Sequence, residues 1–443
     1  MSAITELRTQ TGDQISVPEQ WLNLAAQIPW AFPLPHNAEG DTETRESLGR
    51  IYSEECARIE MLEGEYRTEP FISVPTDVLD EYAKYRPSRF QRARGFEKHL
   101  DYTGQIYFKR EDGNPTGSHK PNTAIAQAFY ARAQGLTGLV TDTGAGQWGA
   151  ALAWACHTQG LECSVFMTRN SFNSKPYRRY LMQMSGARVF ASPSEITSQG
   201  RALLKEDQNH RGSLGIGMGE AMEYMRTQSG TRLALGCMSY YAAMHQTIIG
   251  QELVAQLEMA EVVPDILIGC VGGGTNFIGF VAPFASDNAL PASLRGSKRP
   301  RLVAVESANI PVLTKGVYEY EFADAFGLTT QVKMYTLGRN FLPDEIHAGG
   351  LRYHGKSPIL SLLVHEGRIE AAAIDQNEAF LAGKIFFESE GILAAPESSH
   401  AIAYVIKEID REKREGTAAT IVFCLSGTGY LDLQSYSSFF GMR

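Results

Sequence analysis

Nowhere in the 443 residues do about eighteen apolar residues run together, so no segment is long enough to cross a bilayer as a helix. Cysteine is scarce. The six present (Cys56, Cys156, Cys163, Cys237, Cys270 and Cys424) form no C-x-x-C pair, which excludes a small disulfide-stapled scaffold and reads as reduced, buried thiols. Basic charge is also short, with 41 Lys and Arg against 50 Asp and Glu, for a net charge of -9. That balance excludes nucleic acid or an anionic membrane as the main partner and favours small-molecule chemistry. No close cluster of His, Asp or Cys is present, so no metal is expected; His245, His347 and His354 read as core or surface residues. The opening stretch MSAITELRTQTGDQ lacks a basic segment followed by an apolar one, and a cytoplasmic location is expected. Neither a dinucleotide G-x-G-x-x-G fingerprint nor a P-loop occurs, which removes a nicotinamide dehydrogenase from consideration.

What is present is an alternation of short β-rich runs and helical patterns from Ile106 onward. IYFKRE precedes a helix at 121–134, GLVT one at 146–159, ECSVFM one at 175–185, and ARVFAS one after Thr197; DILIGCV, RLVAVE and TIVFCL follow later. Such alternation specifies βαβ units around parallel sheet, and ligands then bind beyond the carboxyl ends of the strands. The first hundred residues, Pro-rich around Trp30 to Pro35, read as an extended wrap. Residues 308–367, poorer in strand pattern, read as an insertion or lid over the site.

Three strand-to-loop junctions carry chemistry. Gly117-Ser118-His119-Lys120 stands directly before the helix at Pro121, with Asn122 following. A lysine at a helix N-terminus sits in a positive field that disfavours its ammonium and leaves a nucleophilic amine, as Schiff-base formation requires. Gly272-Gly273-Gly274-Thr275-Asn276 follows DILIGCV; consecutive glycines let backbone N–H groups converge on a phosphate, and Thr275 and Asn276 add side-chain donors. Asp142-Thr143-Gly144-Ala145-Gly146-Gln147-Trp148 closes GLVT and opens a helix, an arrangement suited to an amino-acid carboxylate, with Asp142 beside the reacting carbons. The bland readings of these segments are a surface lysine, a flexible glycine loop and a helix-capping aspartate.

Taken with Arg110-Glu111-Asp112, Glu397-Ser398-Ser399-His400 and Leu425-Ser426-Gly427, these motifs resemble, in order and spacing over about residues 70 to 435, the tryptophan synthase β-chain family. The Gly-Leu-Arg-Tyr-His-Gly segment at 350–355 and the long N-terminus are similar to its second type. The resemblance implies an α/β fold of fold-type II, with two parallel-sheet lobes and pyridoxal 5'-phosphate between them. The lobes would fall at 101–240, with a mobile subdomain, and 241–443, with the lid, behind a wrap of residues 1–100. It further implies Lys120 as the residue that carries the cofactor and moves the α-proton. His119, Asn122, Gly272, Gly273, Gly274, Thr275, Asn276, Glu397 and Ser426 would be the remaining cofactor contacts. Thr143, Gly144, Ala145, Gly146, Gln147 and Trp148 would hold the substrate, and a homodimer is expected. The implied reaction is β-replacement, in which L-serine loses its hydroxyl and indole takes its place. The site must close meanwhile, because water would divert the product to pyruvate and ammonia. A tryptophan synthase α chain stands as a candidate partner, although second-type chains resemble poor partners for it.

Two positions depart from the family pattern. Asp142 replaces a glutamate that assists hydroxyl departure and orients the acceptor, which keeps open a different nucleophile, a simple β-elimination, or a non-catalytic regulatory relative. Arg352 stands where ordinary β chains carry aspartate. Its fork suits a phosphate and opens O-phosphoserine as donor; the alternative is a structural salt bridge.

Overall fold

The apolar runs form the strands of two sheets in a computed structural model that describes residues 15–295 and 299–442. The first fourteen residues, from which a cytoplasmic location is expected, lie outside the described residues. In chain order the strands are β1 (Phe90–Arg92), β2 (Gln105–Arg110), β3 (Gly138–Thr143), β4 (Glu162–Thr168), β5 (Arg188–Ser192), β6 (Thr231–Leu233), β7 (Ile266–Cys270), β8 (Arg301–Ser307), β9 (Glu370–Ile374) and β10 (Thr420–Leu425). One sheet runs β9-β8-β7-β10-β2-β1 and is parallel except for the β1–β2 pair; the other runs β5-β4-β3-β6 and is parallel throughout. Strands covered on both faces need unbroken apolar sequence, and β7 is buried at every position. This is the expected architecture of two parallel-sheet α/β lobes.

Helices cover the sheets: α1 (Pro121–Ala133), α2 (Gln147–Gln159), α3 (Arg169–Ser174), α4 (Pro176–Met184), α5 (Leu214–Arg226), α6 (Ile248–Ala260), α7 (Thr275–Ala285) and α8 (Pro396–Glu415). Pro121 and Pro396 open α1 and α8, where a missing N–H costs nothing. Helix α7 is buried along its whole length. No helix among the described residues is long and apolar enough to cross a membrane. All six cysteines are free thiols, five of them buried.

Three segments differ from expectation. The first hundred residues are not an extended wrap: short helices at Arg45–Gly49, Glu54–Glu60, Glu65–Thr68, Thr76–Ala83 and Arg94–His99 fold there, and Trp21, Tyr66 and Tyr82 are buried in the main core. Helices this brief leave little periodicity to read, and packing holds them. Strand β2, in the region assigned to the first lobe, pairs with β10 in the larger sheet. Within 308–367 the strands Val317–Phe322 and Gln331–Thr336 form an antiparallel hairpin, half-exposed and therefore without a continuous apolar run.

A buried charge network ties the larger sheet to α6 and α1. Glu252 accepts from Arg86 Nε (2.7 Å), Arg86 Nη2 (2.8 Å), the Ser88 backbone N–H (3.0 Å) and Lys109 Nζ (2.7 Å). Arg86 Nη1 also donates to Glu111 and to Asn122 Oδ1, and Asn122 Nδ2 donates to Glu111. The side chains of Arg86, Lys109, Glu111 and Glu252 are fully buried. Burial alone would raise the Glu111 carboxyl, but Arg86, with Lys109 and Ser88, outweighs it and holds the group at about 2. Removing one member strands the others, at a cost of about 3–5 kcal/mol. Glu252→Ala should therefore lower unfolding free energy by about that amount in a denaturant titration, whereas an exposed pair such as Arg188–Glu162 should contribute under about 1 kcal/mol.

Candidate active site

The carboxyl ends of β2, β3, β6, β7 and β10 open onto one cavity, with about 820 Å³ of space including its open mouth. His119 and Lys120 enter it from the junction with α1; Asp142 to Ala145, Gln147 and Trp148 from that between β3 and α2. Gly272 to Asn276 come from the turn into α7, Ser426 from the end of β10, and Glu397 from the first turn of α8. Leu214 and Met218 of α5, Leu235, Gly236 and Cys237 after β6, Cys270, and Gly349, Gly350, Leu351 and Tyr353 of the 308–367 segment complete the wall.

Lys120 Nζ donates to the Gly236 carbonyl at 2.6 Å. Its pKa is lowered chiefly by burial, with Cys237 and Asp142 opposing. The helix-end argument has the right sign, but loss of water is the larger cause. Burial, then Lys120, drive the His119 imidazole down to about 3, so it is neutral, and its Nδ1 is buried without a partner. The His119 backbone N–H donates to the Ser426 carbonyl at 3.1 Å, joining two of the loops.

The glycine turn is built by contact. A Cβ on Gly272 would stand 2.1 Å from the Gly350 carbonyl oxygen, one on Gly273 2.4 Å from Cys237 Cβ, and one on Gly274 2.3 Å from Leu360 Cδ2. Gly274, at φ +100°, occupies the left-handed region and caps α7, leaving the first N–H groups of that helix facing the cavity. Ser426 Oγ lies 2.9 Å from Ser398 Oγ and 3.3 Å from Cys270 Sγ. Ser398 Oγ accepts from the backbone N–H groups of Ser426 and Gly427, so it sets the hydroxyl that faces the cavity. Glu397 Oε1 accepts from the Gly350 N–H at 2.7 Å, while Oε2 is buried without a partner. Asp142 is buried, and burial pushes its carboxyl up to about 7 against the weaker pulls of its own backbone N–H and Lys120.

Three predicted residues lie outside the cavity wall. Asn122 sits behind it in the Glu252 network, its Nδ2 donating to Gln246 at 2.9 Å as well as to Glu111. Gly146, at φ +90°, shapes the turn into α2 and packs against Arg178. Arg352 lines an adjoining cavity with Arg211, Asn170 and Ser213, and its Nη2 donates to Ser171 Oγ at 2.6 Å. The two cavities share Gly144, Leu214 and Gly349. Sequence reasoning missed Cys237, Met218 and Leu235, which no motif marks, and Ser398, which lies inside a quoted motif with no role attached. His245 is a core residue bonded to Thr123 Oγ1, and His354 packs between Thr336 and the Ala323 carbonyl. No group of three or more His, Cys, Asp or Glu side chains suited to a metal occurs among the described residues.

The family described as pyridoxal-phosphate dependent enzyme matches residues 83–427. The chain is 47% identical to tryptophan synthase beta chain 2 of Thermotoga maritima over 420 residues, 95% of this chain and 97% of that one. It is 46% identical to the chain of the same name from Methanothermobacter thermautotrophicus over 428 residues (96% and 97%) and 45% identical to the tryptophan synthase beta chain of Pyrococcus horikoshii over 425 (96% and 90%). The chain belongs to the pyridoxal-phosphate-dependent enzymes, in their tryptophan synthase β-chain branch. A fungal L-serine ammonia-lyase from Rhizomucor miehei shares the fold, with a TM-score of 0.58 at 15% identity over 78% of this chain and 96% of that one.

The site fits the cofactor of this pyridoxal-phosphate family. A side-chain-free cradle at a helix N-terminus suits a phosphate, a buried amine suits an aldehyde, and the unpartnered Nδ1 of His119 lacks a polar neighbour that a ligand would supply. Adding a methyl at Gly272 must displace the Gly350 backbone, an overpacking cost of about 1–3 kcal/mol. Gly272→Ala should weaken pyridoxal phosphate binding by roughly ten- to a hundredfold in an absorbance titration.

Proposed function

We propose that this enzyme makes L-tryptophan by β-replacement, joining indole to the β-carbon of L-serine. The observation that carries the reading is the convergence on one cavity of Lys120, a carboxylate loop, a glycine cradle and Asp142. Bound pyridoxal phosphate supplies an aldehyde for the amino group and a ring that spreads the charge developing at the α-carbon.

The residues supply the rest. Backbone N–H groups of Gly272, Gly273 and Gly274, with Thr275 and Asn276, would hold the phosphate, with His119 as a further contact. Ser426 Oγ, fixed by Ser398, would serve the ring nitrogen as a neutral partner, and Glu397 would be a further contact of the cofactor. Thr143, Gly144, Ala145 and Gln147 hold the substrate carboxylate at the start of α2. Lys120 Nζ, buried and poor in charge stabilisation, takes the α-proton and later returns it. Asp142 gives a proton to the departing hydroxyl, which leaves as water; once ionised it accepts a hydrogen bond from the indole N–H and takes back the proton that the bonding indole carbon loses. A carboxyl near 7 exists in both states at neutral pH, which suits both tasks. The segment carrying Gly349 to Tyr353 keeps water from the site. A homodimer is the expected assembly.

O-phosphoserine is a second donor, favoured by the placement of Arg352 beside the carboxylate loop in the adjoining cavity, where Arg211 is paired with Glu345 at 3.4 Å. Holoenzyme supplied with indole and either L-serine or O-phosphoserine should yield tryptophan, and the ratio of kcat/KM values names the donor. Pyruvate as the sole product from both would replace this reading with β-elimination; a new adduct with another nucleophile would replace only the acceptor.

Asp142 also makes a signed pH prediction. Its folded value of about 7 lies above its ordinary 3.8, so its ionisation costs stability that is lost as the pH rises from 3.8 and fully lost above 7. At pH 8 Asp142→Asn should therefore unfold no more easily than the parent protein. Its tryptophan formation should fall by about a hundredfold or more, and the limb of the rate profile near neutrality should vanish.

A further inference from the structure

Asp432 lies six residues beyond Ser426, in a part of the chain that the proposed chemistry does not use. Its carboxylate is fully buried and accepts from Lys175 Nζ at 2.7 Å, from Arg178 Nη1 at 2.8 Å and from Arg178 Nη2. Each cation then reaches a different wall of the cavity. Lys175 Nζ donates to the His347 carbonyl at 3.0 Å, in the segment that continues through Gly349 and Gly350. Arg178 Nη1 reaches the Ala145 carbonyl at 3.4 Å, and its Cβ backs Gly146, where an added methyl would come within 2.9 Å. A second tie lies beside the first, since Ser171 of α3 accepts from Arg352 and its carbonyl accepts from the Lys175 N–H. Burial would raise the Asp432 carboxyl, but Arg178 and Lys175 outweigh it and hold it at about 2, so the knot stays charged at working pH.

We propose that Asp432 is a positioning residue with two separable arms: Lys175 latches the 346–353 segment over the cavity, and Arg178 holds the carboxylate loop in its binding geometry. A buried carboxylate shared by two cations leaves neither free to swing, so both arms are set from one point. The assignment rests on the β-replacement reading for what the closed site protects and what the loop binds.

The arms are tested separately in holoenzyme. Losing a hydrogen bond from a charged donor should change its readout by roughly tenfold or more. Lys175→Met, which leaves Arg178 on Asp432, should speed hydrogen exchange across 346–353 by about tenfold. It should also raise the share of L-serine ending as pyruvate, with KM for L-serine moving less than about twofold. Lys175→Arg should restore slow exchange. Arg178→Met should raise KM for L-serine about tenfold while exchange across 346–353 stays at the parent rate. Arg178→Lys, which keeps a cation on Asp432 but shortens the reach to Ala145, gives the same readout if the methionine variant does not fold. Equal shifts of both readouts in both variants, or lowered melting temperatures with neither readout moved, would overturn the assignment. If the parent enzyme forms no tryptophan, the functional reading fails, yet exchange and the L-serine KM, measured through pyruvate, still decide on the two arms.

Discussion

The floor beneath Lys120 rests on the burial of Glu252 with its five donor groups. The carboxylate holds Arg86 and Lys109 inside the protein, and Arg86 in turn holds Glu111 and Asn122. Glu111 follows β2 directly, and Asn122 stands two residues after Lys120. The network therefore fixes both ends of the crossing from sheet to helix on which Lys120 sits. Such a cluster is not the cheapest way to fill a core, since well-packed apolar residues of similar volume are often as stable. Its consequence here is geometric: a floor that cannot repack places the lysine amine against the Gly236 carbonyl.

Above that floor the site is assembled by close approach. The cradle glycines are needed because Gly350, Cys237 and Leu360 already occupy the space that side chains would take. Two of those contacts come from the 308–367 region and the third from the loop after β6, so the glycine turn, that region and the small sheet share one packed seam. Burial around the cavity also sets the ionisation of its titratable groups. Loss of water lowers Lys120 and His119 and raises Asp142, which moves amine, imidazole and carboxyl toward their neutral forms together.

Much of this was legible in the sequence where chemistry and periodicity coincide. Strands such as TIVFCL and the three glycine-bearing junctions stood out because β-rich runs and small residues leave local patterns, and TIVFCL forms β10 without a shifted boundary. The supporting network was not legible, because Arg86 and Glu252 are 166 residues apart and each looks like an ordinary surface charge. Asn122 follows the lysine so closely that it reads as a cofactor contact, yet a helix turns the next residues away from the cavity. Arg352 has the chemistry of an anion ligand, but only the fold shows that it faces the adjoining cavity and is held by Ser171. The hairpin at 317–336 escaped notice because half-exposed strands mix polar and aromatic residues.

The most direct test of the account is to trap the cofactor where it sits. Borohydride reduction of the pyridoxal-phosphate-loaded protein, followed by peptide mass mapping, should place the pyridoxyl group on Lys120 alone. A label on another lysine, or none after saturation with the cofactor, would contradict the site built here and every role assigned around it.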